Sequence, residues 1–284
     1  MSSTILVSGA TGTQGGAVAR ALLNHGHSVR AMTRRPDGDA ARALTALGAE
    51  VVTADFDDAE SLRAAASGVH AVYAMGTPYE SDAETEERQA NALLDAAVAA
   101  GVEFVVYSSV ASALDDSKVP HFDSKARVEE HLGTLPVAHT VVAPAMFTDN
   151  ILAPNNVESL AAGRYAFPVP ADVRVQQVTI SDLAEFTALV FDDPQRFAGQ
   201  RIELASSEET GAEVAAALTR VLGREIAYSE IPLEAIEASG NDDLAAMMRF
   251  FRERGYSIDI DALHAAYPEV GWHTVENWAR EQNW

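Results

Sequence analysis

The sequence predicts a doubly wound α/β fold, a parallel sheet flanked by helices, with a smaller, mainly helical C-terminal lobe. Three observations carry that expectation. Strand-sized apolar runs alternate with helix-length amphipathic stretches through the first half of the chain, the pattern of right-handed βαβ crossovers. The runs Ile5-Leu6-Val7, Val69–Val72 and Phe104–Tyr107 are apolar without alternation, as in strands buried on both faces. Gly26, Gly48, Gly68 and Gly101 each follow a helical stretch, where the chain needs a left-handed residue to leave the helix.

Taken in order, strands are expected at Thr4–Ser8, Ser28–Thr33, Glu50–Ala54, His70–Met75, Glu103–Ser108 and Val137–Ala143. Helices are expected over Gln14–His25, Asp39–Leu47, Ala59–Ala66, Ala83–Ala100 and Asp123–Leu132. After Pro144 the alternation loosens. Gly163–Val178, with its two prolines, reads as a hairpin or loop. Ser181–Phe191 reads as a helix capped by Ser181 or Asp182, and Arg201–Ala205 as a late strand returning to the main sheet. Glu208–Leu222 and Asp242–Arg254 read as helices around a short strand near Glu225–Ile231. The expected division is a sheet domain of residues 1–150, with 176–205 returning to it, and a lobe formed by 151–175 and 206–284.

A length of 284 residues suits one large α/β domain or a domain with a smaller partner. No apolar run is long enough to span a membrane. The opening Met1-Ser2-Ser3-Thr4 has no basic start and leads into a short apolar run, so a secretory signal is not expected and a cytoplasmic location is. With no cysteine, thiolate catalysis, disulfides and cysteine-ligated zinc are excluded. The eight histidines show no H-E-x-x-H spacing, so no metal site is expected. A formal charge of −22 repels nucleic-acid phosphates, and direct binding to them is not expected. The chain has only two lysines, Lys118 and Lys125, and an acidic, lysine-poor, alanine-rich surface fits either GC-rich coding or a high-salt host.

The stretch Gly9-Ala10-Thr11-Gly12-Thr13-Gln14-Gly15-Gly16 joins the first strand to the first helix. Glycine there permits a tight turn, close approach of backbone N–H groups to a pyrophosphate, and close helix–strand packing. The helix start adds unpaired donors and a positive dipole end. At the end of the second strand, where NAD sites place a carboxylate for the ribose 2′-hydroxyl, stands Thr33-Arg34-Arg35. Guanidinium groups suit a 2′-phosphate, so NADP(H) is the expected cofactor. The alternative is that the two arginines solvate the loop or pair with Asp37 and Asp39. Asp55 and Phe56, after the third strand, are candidates to flank the adenine, while Asp57-Asp58 would start the next helix.

These segments, with Gly48-Ala49-Glu50-Val51-Val52, Val105-Val106-Tyr107-Ser108-Ser109, His121-Phe122-Asp123-Ser124-Lys125 and Phe147-Thr148-Asp149-Asn150, resemble the NmrA-like family of atypical short-chain dehydrogenases/reductases. The resemblance implies a Rossmann-type NAD(P)-binding domain and a C-terminal lobe, with a small-molecule substrate in the cleft between them. It also implies either an NADPH-dependent reductase or an NADP-binding regulator with a protein partner. By position it assigns Gly9, Thr11, Gly12, Thr13, Gln14 and Gly15 to the pyrophosphate and Arg34, with Arg35 as a second candidate, to the 2′-phosphate. Gly76, Thr77 and Pro78 would line the ribose side with Tyr79 nearby, and Pro144 to Phe147 would back the nicotinamide.

Active short-chain reductases pair Tyr-x-x-x-Lys with a serine after the fifth strand, the tyrosine acting as general acid. Lys125 fits the lysine position, but four residues earlier stands His121, directly after Pro120. The readings left open are a histidine proton donor, a lysine-only mechanism, and a lysine that merely grips the ribose. Ser108 or Ser109, the latter preferred, could orient a carbonyl or could simply cap the strand end. Glu84–Glu87 reads as a solvated acidic face with Arg88 a surface base. Met247-Met248 with Phe250-Phe251 reads as a packing stripe or cleft lining, and Trp272, Trp278 and Trp284 as docking for the last helix. The expected function is hydride transfer from NADPH to a small apolar carbonyl, quinone or related acceptor. The alternative is a non-catalytic NADP(H)-responsive binding protein, and homo-oligomerisation is open.

Overall fold

The apolar runs become the strands of one parallel sheet. A computed structural model describes residues 3–76 and 82–284. The first part of the chain forms β1 (Thr4–Val7), α1 (Thr13–Asn24), β2 (Ser28–Thr33), α2 (Asp39–Ala46), β3 (Glu50–Thr53), α3 (Ala59–Ala66), β4 (Ala71–Ala74), α4 (Ala83–Ala99), β5 (Phe104–Ser108), α5 (Pro120–Thr134) and β6 (Ala138–Pro144). Then come β7 (Met146–Phe147), α6 (Pro154–Ala161), β8 (Arg164–Phe167), β9 (Arg174–Val178), α7 (Ile180–Asp192), α8 (Pro194–Phe197) and β10 (Arg201–Leu204). The chain ends with β11 (Ser207–Thr210), α9 (Gly211–Leu222), β12 (Ala227–Glu230), α10 (Leu233–Ala238), α11 (Asp242–Glu253), α12 (Ile260–Ala266) and α13 (Val275–Arg280).

The main sheet has seven strands in the order β3-β2-β1-β4-β5-β6-β10, a Rossmann-type doubly wound arrangement. β1 lies between β2 and β4 and is parallel to both, so the winding direction reverses beside it. In such sheets the ligand crevice opens at the carboxyl ends of the strands at that point. The expected return of residues 201–205 to the sheet edge is observed, and Gly26, Gly48, Gly68 and Gly101 all take positive φ.

The chain divides into two compact units. The first comprises Met1–Leu114, His121–Ala143 and Leu183–Ile202; the second comprises Asp115–Pro120, Pro144–Asp182 and Glu203–Trp284. In the first, Leu6, Val72, Val105 and Tyr107 pack against Leu62 of α3, Leu93 and Leu94 of α4, and Val128 and Leu132 of α5. Each such leucine stabilises the fold by about 1.5–3 kcal/mol through burial. Alternation along β5 sends Tyr107 to that side and Ser108 to the opposite one, toward α1. In the second unit, Tyr165, Val214, Leu218, Ile226 and Trp278 form a separate core.

Four expectations change. Gly163–Val178 is not a hairpin: β8 pairs in parallel with β12, whereas β9 pairs with β11 and β7. Pro168 and Pro170, lacking N–H donors, stand between the two strands and separate them. The lobe is therefore not simply helical but carries a three-stranded and a two-stranded sheet. The helix expected from Glu208 begins at Gly211, because Thr210 and Glu213 form a reciprocal capping box. Finally, Thr179 rather than Ser181 or Asp182 caps α7, its hydroxyl accepting from the Asp182 N–H at 3.0 Å.

Met248, Phe250 and Phe251 are buried, and the two phenyl rings pack with Tyr256, so this stripe is core. Trp278 is buried and docks α13, Trp272 stacks on His264, and Trp284 stays exposed. No described helix is long and apolar enough to cross a membrane.

Candidate functional site

The loop from β1 to α1 needs its three glycines for three different reasons. Gly9 has φ +61°, a turn that side chains disfavour. Gly15 sits where chain meets chain: a Cβ there would lie 2.4 Å from Gly9 O and 2.7 Å from Ser8 O. Gly12 is less crowded, and its Cβ would meet only Gly9 O, at 3.3 Å. Gly12 is also the N-cap of α1, whose first turn has neither a side-chain cap nor an acidic residue. The first N–H groups and the positive end of the dipole are thus offered outward to an anion. Thr13 is exposed, and the Thr11 hydroxyl lies 3.3 Å from that of Thr33, tying the loop to β2. The Gln14 carboxamide turns inward, donating to Tyr73 Oη at 2.7 Å and Ser108 Oγ at 2.6 Å.

At the end of β2, Arg34 and Arg35 are exposed, and the Arg35 N–H donates to Thr33 Oγ1. Of the two aspartates named as alternative partners, Asp39 pairs with Arg42 at 2.5 Å, and Arg42 also donates to the Asp37 carbonyl oxygen. The Asp57 carboxyl is held below the usual range, chiefly by hydrogen bonds from Arg88 and Gln89, with the Arg34 charge adding to them. Asp55 is exposed and its carboxylate accepts from the Asp57 N–H, while Phe56 packs partly against the core. Asp58 caps α3.

α5 begins at Pro120, three residues earlier than expected, because proline costs no hydrogen bond in a helix's first turn. His121 and Lys125 are therefore one turn apart on one face, and both are buried, 5% and 8% exposed. The Lys125 ammonium lies 2.7 Å from Glu86 Oε1 and 5.9 Å from the Tyr107 ring centroid. The His121 ring packs edge-on against Phe122. Glu86 is 1% exposed, which corrects the solvated-face reading of Glu84–Glu87: Glu84 is exposed, but Glu86 joins the buried stripe of Ala90, Leu93, Leu94 and Ala97. The spacing i, i+4, i+7, i+8, i+11 was the signal. Gly76 makes room for it, since a Cβ there would come within 3.0 Å of Glu86 Cγ.

Ser109 stands elsewhere. Its hydroxyl donates to Glu129, whose other oxygen accepts from Arg201 Nε at 2.8 Å. Arg201 also donates to Val110 O, so this network fastens β10 to α5. Neither nearby phenol replaces the missing tyrosine. Burial pushes Tyr73 up to about 12, against the opposing hydrogen bonds of Ser108 and Gln14. Burial and then the Glu86 charge push Tyr107 well up, and its hydroxyl has no hydrogen-bond partner among the described residues. Thr77, Pro78 and Tyr79 lie outside the described residues. Pro144 is buried at the end of β6, and Phe147 is half-buried, in register with Val178 of β9.

The NmrA-like family matches residues 1–279, and the chain belongs to that family. It is 30% identical over 281 residues to the NmrA-like family domain-containing oxidoreductase FrzB of a Cladobotryum species, covering 88% of this chain and 83% of that one. It is similar to the Escherichia coli NADPH-dependent quinone oxidoreductase QOR2 complexed with NADPH, at TM-score 0.80 and 26% identity over 97% of this chain and 98% of that one. It shares its fold with NmrA, a negative transcriptional regulator, in complex with NADP, at TM-score 0.78 and 24% identity over 99% of this chain and 95% of that one.

Proposed function

We propose that this NmrA-like protein is an NADPH-dependent oxidoreductase that delivers hydride to a small apolar carbonyl, quinone or related acceptor. The observation that carries the reading is Lys125, a buried cation on the helix face that also bears His121, in the same unit as an uncapped glycine loop. The residues fit NADPH. Gly12 starts α1 without a side-chain cap, and the backbone from Gly9 to Gly15 would hold the pyrophosphate there. Arg34, with Arg35, would hold the 2′-phosphate; Asp55 and Phe56 would flank the adenine; and Gly76 would line the ribose side. When bound, NADPH supplies the hydride.

Lys125 then holds the ribose hydroxyls and keeps positive charge where the acceptor oxygen becomes negative, the kind of fixed charge that stabilises a transition state. The proton comes from His121 or from water. Similarity to FrzB and to QOR2 supports this reading. The test is NADPH oxidation, followed by absorbance, against a panel of quinones, enones and aromatic ketones, with Lys125→Ala alongside. Oxidation that disappears in the variant supports the proposal; tight NADPH binding with no oxidation across the panel overturns it.

One observation favours a second reading, an NADP(H)-responsive binding protein: Tyr73 and Tyr107 are buried with their pKa values raised, so no phenol among the described residues of the site is poised as an acid. Such a protein must bind a partner with different affinity in its different cofactor states. Equal partner binding with NADP, NADPH or neither would exclude it.

A further inference from the structure

Glu86 is a carboxylate buried on a helix face that otherwise carries alanine and leucine. A buried ion pair is a poor way to gain stability, since two apolar residues of similar volume serve as well or better. Its geometry suits another purpose. Oε2 accepts from Ser124 Oγ at 3.1 Å, and the same hydroxyl lies 3.0 Å from the His121 carbonyl oxygen. Ser124 thus locks Glu86 to the turn of α5 that presents both His121 and Lys125. Oε1 lies 2.7 Å from Lys125 Nζ. The contact is an ion pair that faces one ammonium N–H, so two of the three donors of Lys125 are left for another acceptor.

The other charged and titratable groups around Lys125 are engaged or are not anions. Glu87 of α4 pairs with Arg127 at 2.5 Å, and Glu129 of α5 pairs with Arg201 at 2.8 Å. Tyr107 of β5 presents its ring, and His121 of α5 is edge-on to Phe122. Room for the carboxylate comes from the missing side chain at Gly76.

We propose that Glu86 is a positioning residue: it fixes the Lys125 ammonium and holds it charged while engaging one donor, leaving the other two for NADPH and the acceptor oxygen. This rests on the role given to Lys125 under the proposed function. Glu86→Gln keeps the shape and removes the counter-charge, and loss of a counter-charge favours the neutral form of a buried amine. The experiment compares the full-length native protein with Glu86→Gln, Glu86→Asp and Lys125→Ala. It measures kcat and NADPH affinity against pH, and follows the lysine signals by NMR after ¹³C-lysine labelling. Lys118 and Lys125 are the two lysines of the chain, so the spectrum assigns itself with a Lys118→Arg control.

In Glu86→Gln, the alkaline limb of both profiles is expected to move down by about one pH unit or more, a loss of about tenfold in kcat on that limb. The Lys125 signal should titrate at correspondingly lower pH while that of Lys118 stays put. Glu86→Asp carries the same expectation at smaller size, and is read in place of Glu86→Gln if melting shows the latter unfolded. Unchanged profiles and an unchanged Lys125 signal, with Lys125→Ala inactive, overturn the proposal alone. A Lys125→Ala protein with native rate and NADPH affinity removes the reading on which it rests, and the proposal with it.

Discussion

The α-carbon of Gly15 packs so closely on the carbonyl of Gly9 that a Cβ at position 15 would lie 2.4 Å from Gly9 O. The carbonyl is backbone, so it cannot rotate aside as a flexible side chain would. The start of α1 is therefore seated against the end of β1 by the absence of one methyl group, which fixes where the helix's free N–H groups point.

Gly15→Ala should accordingly cost about 1–3 kcal/mol of stability, as overpacking does, and should lower NADPH affinity with it. Gly12→Ala meets the same carbonyl at 3.3 Å rather than 2.4 Å, so it should lose less stability than Gly15→Ala while still losing NADPH affinity. Thermal melts and fluorescence titrations of both variants check this; equal melting losses would refute the division of roles.

Arg34→Ala should weaken NADPH binding by about ten- to a hundredfold, the range for a lost charge-assisted hydrogen bond of about 1.5–3 kcal/mol. NADH, lacking the 2′-phosphate, should be affected little. The ratio of the two dissociation constants is the readout, and a ratio that does not move would show that Arg34 only solvates its loop.

Ser109→Ala tests whether that serine serves chemistry or framework. Its hydroxyl donates to Glu129 within the network that includes Arg201, so the variant should lose stability by about 1.5–3 kcal/mol, as for a hydrogen bond to a charged group. Its kcat should stay within a few-fold of native. A large fall in kcat with unchanged melting would return Ser109 to the catalytic group.

The second unit should weaken as the solution becomes alkaline. His273 Nδ1 lies 2.5 Å from Asp182 Oδ1, and the same carboxylate accepts from Ser206 Oγ and the His273 N–H. Burial alone would lower the His273 pKa, but Asp182 and then Glu281 outweigh it and raise it above 6.5. A group raised on folding contributes stability that is complete below its unfolded value and is lost as pH rises through its folded value. The melting difference between the native protein and His273→Gln should therefore be largest below about pH 6.5 and shrink on the alkaline side. A difference constant across pH would contradict it.

Much of this was legible in the sequence because local rules decide it. Strands buried on both faces announce themselves as unbroken apolar runs, and Gly9, Gly12 and Gly15 mark the loop. What stayed hidden depended on partners remote in sequence. β8 and β9 are close neighbours in the chain but pair with residues 227–230 and 207–210 in different sheets. Serines at 108 and 109 look interchangeable until strand alternation sends one to Gln14 and the other to Glu129. Glu86 was masked by acidic neighbours, although helical spacing aligns it with Ala90, Leu93 and Leu94.

The most direct test of the central claim is to follow the transferred atom itself. The native protein and Lys125→Ala would each be incubated with ketones and enones and with NADPH deuterated at its transferable nicotinamide hydrogen, and the products analysed by mass spectrometry. The account predicts deuterium on carbon in a product formed by the native protein and little or none with the variant. Tight NADPH binding with no deuterated product from any acceptor, or equal labelling by both proteins, would contradict it.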